Sequence, residues 1–339
     1  MNNYNDWTLY TYNVALHRAI PVLGHEETLF RKGFVVGTHT KNQWKFAEVA
    51  PLPSFHQTTY NTILDDIIHS FSAHSKAQSA LVQFAQYSLE QTHSREGNLH
   101  GIVTCNSLLS LDSWQETIPT HLPLNFSTKA NKFHTLKIKL GRDNIDKELA
   151  CLQDISQFAR ENSLYYTLRL DANRQWNKEQ LLYFWSQYTQ TIACDNIRLE
   201  YFEEPIHPYQ DMKDCVPIPI ALDESLDQSL DQEYLWQYPH IAHAVIKPTL
   251  HTHWQTISQL YPYISCTISS TFETSLGMWH LGQLALSYPH TTHGLGTLTY
   301  LAEDIVEDPL LYREQRLHIP STPPTIDWSK LDFLAGVAI

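Results

Sequence analysis

Apolar and polar residues follow two different rhythms along this chain, and the change falls near residue 107. Before it, Leu9-Tyr10-Thr11-Tyr12-Asn13-Val14-Ala15-Leu16 partly alternates, and Lys32-Gly33-Phe34-Val35-Val36-Gly37-Thr38-His39 is β-branched and bounded by glycine. Both predict strands, and Gln43 to Val49 a third, with a loop around Pro21 to Glu27 between the first two. The prolines of Ala50-Pro51-Leu52-Pro53-Ser54-Phe55 argue against a regular helix or a central strand, leaving an ordered loop or connector. From Thr59 to Glu90, Ile63, Ile67 and Phe71, then Ala80, Phe84 and Tyr87, recur at helical steps and predict helices packed on the sheet. The first hundred residues therefore read as a small α+β domain.

After Ser107 the rhythm becomes strand, turn, helix, repeated. Phe133 to Leu140 predicts a strand, Gly141-Arg142-Asp143 a turn, and the stripe Ile145, Leu149, Leu152, Ile155, Phe158 a helix. Tyr165 to Asp171 is the next strand, and Asn177 is placed to cap a helix running through Tyr188. Ile197 to Glu203, Ile218 to Asp223, Ala242 to Lys247 and Tyr263 to Ser269 continue the series. Successive strand ends are separated by more than the dozen or so residues that a parallel crossover needs. Apolar strands joined in this way predict a parallel sheet covered by helices, and six units in one run favour a closed barrel over an open doubly wound sheet. No Gly-x-Gly-x-x-Gly follows the first of these strands, which argues further against a dinucleotide-binding fold.

Composition narrows the partners. A chain of 339 residues, 42% hydrophobic and 17% charged, is globular and long enough for two domains or for one barrel with an appendage. A net charge of −13, without a run of Lys and Arg, argues against nucleic acid and anionic membranes, so a small molecule is the expected partner. Cys105, Cys151, Cys194, Cys215 and Cys266 are scattered and never form a Cys-x-x-Cys pair, which fits a reducing cytoplasm better than a disulfide framework or a zinc site. The polar start, Met1 to Trp7, lacks a signal-peptide pattern, and no apolar run is long enough to span a bilayer. Neither His251 nor His253 has further ligands at a fixed spacing, so no histidine metal site is expected.

The chemistry lies at the strand ends: Lys137-Ile138-Lys139, Arg169-Leu170-Asp171-Ala172-Asn173, Phe202-Glu203-Glu204-Pro205, Leu222-Asp223-Glu224-Ser225 and Val245-Ile246-Lys247-Pro248. In a β/α barrel these positions line the mouth where active sites form. Side chains two apart on a strand share a face, so Lys137 with Lys139, and Arg169 with Asp171, are expected to point into the barrel. Carboxylates gathered there repel one another, and a divalent cation relieves the repulsion; an all-oxygen ligand set suits Mg²⁺, with Mn²⁺ as the alternative. The plain alternative is a structural ion-pair network of the acids with Lys137, Lys139, Arg169 and Lys247, in a barrel without catalysis. Lysines crowded by other cations are shifted towards the neutral form that a base requires, and with a metal they would suit removal of a proton α to a carboxylate.

Lys137-x-Lys139, Leu170-Asp171-Ala172-Asn173, Glu203-Glu204-Pro205, Asp223-Glu224-Ser225 and Lys247 together resemble the enolase superfamily, in its muconate-lactonising subgroup. The resemblance implies a Lys base working with Mg²⁺. The resemblance implies an α/β fold: a modified TIM-type (β/α) barrel over residues 107–320, an N-terminal α+β capping domain over 1–106, and a C-terminal segment, 321–339, packing back on the cap. It implies that Asp171, Glu203 and Asp223 bind the metal and that Lys139 and Lys247 are catalytic. Lys137, Arg169, Asn173, Glu204 and Glu224 would then be supporting groups. Three further segments resemble loops of that subgroup: Glu48 to Phe55 in the cap, Ser269 to Gly277 after the sixth strand, and Gly294-Leu295-Gly296-Thr297. Ser269, Ser270, Gly294, Gly296 and Thr297 are by that likeness the substrate-binding positions, for a small carboxylate. Where the subgroup carries Gly-Trp-Gly-Glu entering the cap segment, this chain has Trp44-Lys45-Phe46-Ala47-Glu48.

Overall fold

Three long antiparallel strands open the chain, β1 (Asp6–Ala15), β2 (Phe30–Thr40) and β3 (Gln43–Val49). The structure is a computed structural model that describes residues 6–21, 28–40, 43–94, 98–115, 134–207, 211, 215, 217–227, 238–259 and 263–337. Most of the expected loop from Pro21 to Glu27, and Phe133, therefore lie outside the described residues. The chain divides into two compact units, one comprising Met1–Thr104, Lys247–Trp254 and Ile268–Ile339, the other Cys105–Ile246 and Gln255–Thr267.

In the first unit the sheet order is β14-β1-β2-β3, its edge supplied by the late strand β14 (Leu331–Gly336) pairing antiparallel with β1. Two helices cover one face of this sheet, α2 (Tyr60–Ser72), capped by the Thr59 side chain, and α3 (Ala80–Ser94). Ile63, Ile67 and Phe71 at helical spacing pack with Leu9, Phe34, Val36 and Val49 into one buried cluster. The proline-rich connector is not wholly irregular: Pro53–His56 forms a single helical turn, α1, with proline at its start. That is the helix position where a missing N–H costs nothing, because it would have no partner there anyway. A smaller antiparallel sheet is formed by β12 (Tyr312–Arg313), β13 (Arg316–Ile319) and β4 (Gly101–Thr104), in that order.

The second unit is built on a sheet of β5 (Ser107–Leu109), β6 (His134–Lys139), β7 (Tyr166–Asp171), β8 (Ile197–Glu203), β9 (Ile220–Leu222), β10 (Ile241–Ile246) and β11 (Ser265–Ile268). Its spatial order, β11-β10-β9-β8-β7-β6-β5, skips no strand, and the neighbours from β5 to β10 pair in parallel. Unskipped winding is the barrel pattern, whereas a doubly wound sheet reverses its order part way. Helices α4 (Ile145–Glu161) and α5 (Lys178–Thr191) fill two of the crossovers, and Asn177 with Gln180 forms a capping box at the start of α5. Leu136 and Ile138 of β6, Leu168 and Leu170 of β7 and Phe202 of β8 are buried, as are Leu149, Leu152 and Ile155 of α4 and Leu181 and Phe184 of α5. Phe184 meets Phe202 edge-on at 5.5 Å. Truncating Phe184 to Ala would cost about 3–5 kcal/mol by the lost packing. The alternate residues, Lys137, Lys139, Arg169, Asp171, Tyr201 and Glu203, are left for the other face of the sheet.

Gly294 N–H donates to the Ile268 carbonyl and His293 N–H to the Thr104 carbonyl, each at 2.8 Å. This architecture is the α/β class of modified (β/α) barrel with an N-terminal α+β domain that the sequence implies.

Candidate active site

Lys139, Asp171 and Glu203 end three adjacent strands, and the register pairs Lys139 with Asp171 and Asp171 with Glu203. Asp223 follows the last residue of the next strand, β9. All three carboxylates are buried. Lys137, one pleat further down β6, sends its ammonium up to them, 2.9 Å from Asp171 Oδ2 and 2.6 Å from Glu203 Oε1. Burial works against its charge, but Asp171, Glu203 and Asp223 overcome that and hold it well above the usual lysine range. Lys139 Nζ lies 3.9 Å from Asp171 Oδ2. The structure thus gathers Lys137, Lys139, Asp171 and Glu203 in one cluster.

Glu204 points elsewhere and organises the loop that carries Asp223. Its Oε1 accepts from the amides of Asp223 and Ser225, both at 2.8 Å, and its Oε2 accepts from Ser225 Oγ at 2.9 Å and Arg174 Nε at 3.0 Å. Glu224 lies at the rim of this network, 4.0 Å from Arg174 Nε. The backbone here is strained: Asn173, Arg174 and Glu204 all have positive φ, at 46°, 60° and 41°. Side chains other than glycine adopt that region at a cost, and the surrounding bonds hold them in it. The Asn173 amide donates to Asp171 Oδ1 at 3.1 Å, and the Arg174 amide to the Glu204 carbonyl at 2.6 Å. Sequence reasoning missed Arg174, whose only signal was its place directly after the Asp171-Ala172-Asn173 turn.

Arg169 is engaged mainly by another acid. It makes a two-pronged ion pair with Glu200, at 2.8 and 3.0 Å, and lies over the Tyr201 ring, with Tyr201 in turn against His243. It supports the sheet one layer below the cluster.

The remaining residues named from sequence belong to the first unit. Lys247 is buried, its amide donates to His251 Nδ1 at 3.2 Å, and its ammonium sits 5.0 Å from the centre of the Phe55 ring. His251 thus serves the backbone of the Lys247 turn. Ser269 bridges to Gly294 in parallel, Ser270 donates its amide to the Gly294 carbonyl at 3.1 Å, and Ser270 Oγ lies 2.7 Å from Thr297 Oγ1. The Gly294 amide is engaged with Ile268, so the backbone donors left for a ligand in this loop are not those of Gly294 itself. A side chain at Gly294 would collide with Ser269 Oγ, 2.6 Å from an added Cβ, which explains the glycine. Gly296 precedes the short 3₁₀ turn Thr297–Tyr300.

Two observations test the cluster of the second unit against a divalent cation. Glu203 Oε2 is buried with no hydrogen-bond partner among the described residues, a costly arrangement unless something else occupies that oxygen. Asp171, Glu203 and Asp223 on successive strands also offer the hard oxygen donors that Mg²⁺ or Mn²⁺ takes. Among the described residues no group of three or more His, Cys, Asp or Glu is drawn close enough to hold a metal as it stands. Lys137 Nζ holds one oxygen each of Asp171 and Glu203. The donor chemistry fits the cation.

A family model described as enolase C-terminal domain-like matches residues 126–323, more than half of the chain. The chain belongs to this family, within the enolase superfamily, and is an enzyme. This sets aside a barrel without catalysis. An o-succinylbenzoate synthase of Yersinia pseudotuberculosis serotype O:1b (strain IP 31758) is 26% identical over 333 residues, covering 91% of this chain and 97% of that protein. In fold it is similar to the L-Ala-D/L-Glu epimerase of Bacillus subtilis, with a TM-score of 0.74, 17% identity and coverage of 98% of this chain and 99% of the other. It is also similar to the o-succinylbenzoate synthase of Thermosynechococcus elongatus BP-1 with Mg in its active site, with a TM-score of 0.66, 20% identity and coverage of 91% and 96%. No helix among the described residues is long and apolar enough to cross a membrane.

Proposed function

We propose that the protein is an o-succinylbenzoate synthase of menaquinone biosynthesis. It would dehydrate 2-succinyl-6-hydroxy-2,4-cyclohexadiene-1-carboxylate to 2-succinylbenzoate in the cytoplasm. The observation that carries the reading is the Lys-x-Lys strand β6 lying in register with the Asp171 and Glu203 strand ends, together with the synthase relative matched along most of the chain.

In this mechanism Asp171, Glu203 and Asp223 would hold the cation. Mg²⁺, when bound, supplies positive charge beside the substrate carboxylate as the proton α to it leaves. Lys139 takes that proton on Nζ, breaking the C–H bond. It then returns the proton to the departing hydroxyl on the same face, so that the C–O bond breaks, water leaves and the ring becomes aromatic. Lys137 fixes Asp171 and Glu203 through its two short contacts. Lys247, assigned by its likeness to the superfamily pattern, stabilises the anion by its charge and through a cation–π contact with the forming ring. Ser269, Ser270, Gly296 and Thr297, on the loops resembling those of the subgroup, meet the substrate, with Gly294 shaping their backbone.

The same two lysines would serve an N-acylamino acid racemase or dipeptide epimerase, a reading favoured by the fold shared with the B. subtilis epimerase. One assay separates the two. With Mg²⁺ present, the purified protein is given the cyclohexadiene substrate and, separately, N-succinylamino acids and dipeptides, with Lys139→Ala as control. Aromatisation that disappears in Lys139→Ala supports the synthase. Racemisation or epimerisation without dehydration moves the function to the second reading, and full activity in Lys139→Ala would sink the mechanism.

A further inference from the structure

Arg31, near the start of β2, is 1% exposed. A guanidinium carries five N–H donors, and each here meets a backbone carbonyl. Nε donates to Phe272 at 2.8 Å; Nη1 donates to Lys32 at 3.0 Å and Pro51 at 2.6 Å; Nη2 donates to Ala50 at 2.5 Å and Thr271 at 3.3 Å. Two loops far apart in sequence, at residues 50–51 and 271–272, are thus joined through one side chain.

Both loops lead to Lys247. On one side, the segment released from Pro51 turns directly into α1, whose four residues are too few to be stable alone. Phe55, in that turn, places its ring 5.0 Å from Lys247 Nζ. On the other side, Thr271 Oγ1 lies 2.9 Å from Thr249 Oγ1, two residues beyond Lys247, and Glu273 receives both hydroxyls. Phe272 sits at φ 64°, a strained conformation in which the Arg31 bond holds its carbonyl. Phe55 and Phe272 also pack against one apolar cluster, Leu16, Ile20 and Leu52.

We propose that Arg31 is a positioning residue for Lys247: by clamping the two loops together it fixes the Phe55 ring against the ammonium and the Thr249–Thr271 contact behind it. The proposal rests on the reading of Lys247 as a catalytic lysine. It concerns the cation's placement, and neither loop would hold that placement alone.

The test uses Arg31→Lys, Phe55→Leu and the double variant of the full chain. The first readout is independent of activity: the rate of reductive methylation of Lys247, followed by peptide mass spectrometry. Lys247 is 7% exposed, so the wild type reacts slowly. Each single variant is expected to speed the reaction severalfold, and the double variant no further than the faster single, because both break one linkage. The second readout is the split between kcat and KM on whichever substrate the wild type turns over. Arg31→Lys is expected to lower kcat by about tenfold with a smaller change in KM, as misplacement of a charged group does. If Phe55→Leu speeds methylation while Arg31→Lys leaves it at the wild-type rate, or if the two effects multiply, the proposal is overturned and Arg31 is only structural. A wild type that turns over no tested substrate defeats the synthase reading, yet the methylation result still decides the placement. Should Arg31→Lys fail to fold, hydrogen exchange of the wild type in subdenaturing urea replaces it. Amides at 55–58 and 274–277 opening together support the clamp, and independent opening overturns it.

Discussion

Glu48 and Glu203 are both buried carboxylates on β-strands, and their surroundings are opposite in kind. Glu48 accepts from the Tyr12 hydroxyl, from the amides of Thr274 and Gly277 and from Thr274 Oγ1. These groups gather at the start of α6 (Ser275–Ala285), where unpaired amides and the helix dipole favour a negative charge. An added Cβ at Gly277 would lie 2.6 Å from Glu48 Oε2, so only glycine admits the carboxylate there. Glu203 instead takes Lys137 on one oxygen and leaves the other without a hydrogen bond among the described residues. A charge tied to backbone amides is committed to the fold. A charge shared with a lysine side chain, with an oxygen to spare, leaves room for a ligand.

The sharpest way to break this contrast is at Lys139. Lys139→Ala should lower kcat by about a thousandfold, the scale of lost general acid–base catalysis, while thermal unfolding stays near the wild-type temperature. Comparable loss of stability would place Lys139 with the structural charges. Next, Glu203→Gln and Glu48→Gln are paired: the first should lower Mg²⁺-dependent turnover by about a hundredfold or more and cost less stability than the second, since Asp171 still meets Lys137, and the second should cost about 1–3 kcal/mol in a denaturant titration. Equal destabilisation by both would erase the distinction. Glu204 tests the boundary, because it is tied to amides yet supports the Asp223 loop. Glu204→Gln should weaken Mg²⁺ affinity, measured by calorimetry, by about 10–100-fold.

The smallest effect concerns pH. Asp304 accepts from the Ser275 amide at the same helix start, and burial pushes its carboxyl up to about 6. A carboxyl whose pKa is higher folded than unfolded contributes stability that is full below the unfolded value and is lost as pH rises through about 6. Asp304→Asn should therefore raise stability at pH 7.5 by about 1–3 kcal/mol and leave it unchanged near pH 4. His280, lowered to about 4 chiefly by burial, acts in the opposite sense, its stabilisation lost as pH falls from 6.5 towards 4. Melting curves across pH for wild type and Asp304→Asn separate the two.

The strand ends were legible because alternation is local: Lys137 and Lys139, or Arg169 and Asp171, share a face by the geometry of one strand. The run of strands from β6 to β11 was legible from repeated apolar segments and their crossover lengths, whereas β5, a strand of three residues, was not. Partner choice was not. Arg169 sits two residues from Asp171 and pairs with Glu200, since β7 and β8 shift register between Leu168 and Arg169. The helical turn after Pro51 was hidden because a proline excluded from a helix interior is well suited to a helix start.

By itself, the sequence determined the rhythm of the elements, the placing of Lys139, Asp171, Glu203, Asp223 and Lys247 at or just past strand ends, and the family to which the motifs belong. Only the tertiary structure decided which charges are satisfied by what: Lys137 between two acids, Glu204 turned to the Asp223 loop, Glu48 at a helix start, and Arg31 bonded to a carbonyl 241 residues away. Periodicity and motif spacing are properties of neighbouring residues. The partners of a buried charge are chosen by packing between segments that meet only in the folded chain.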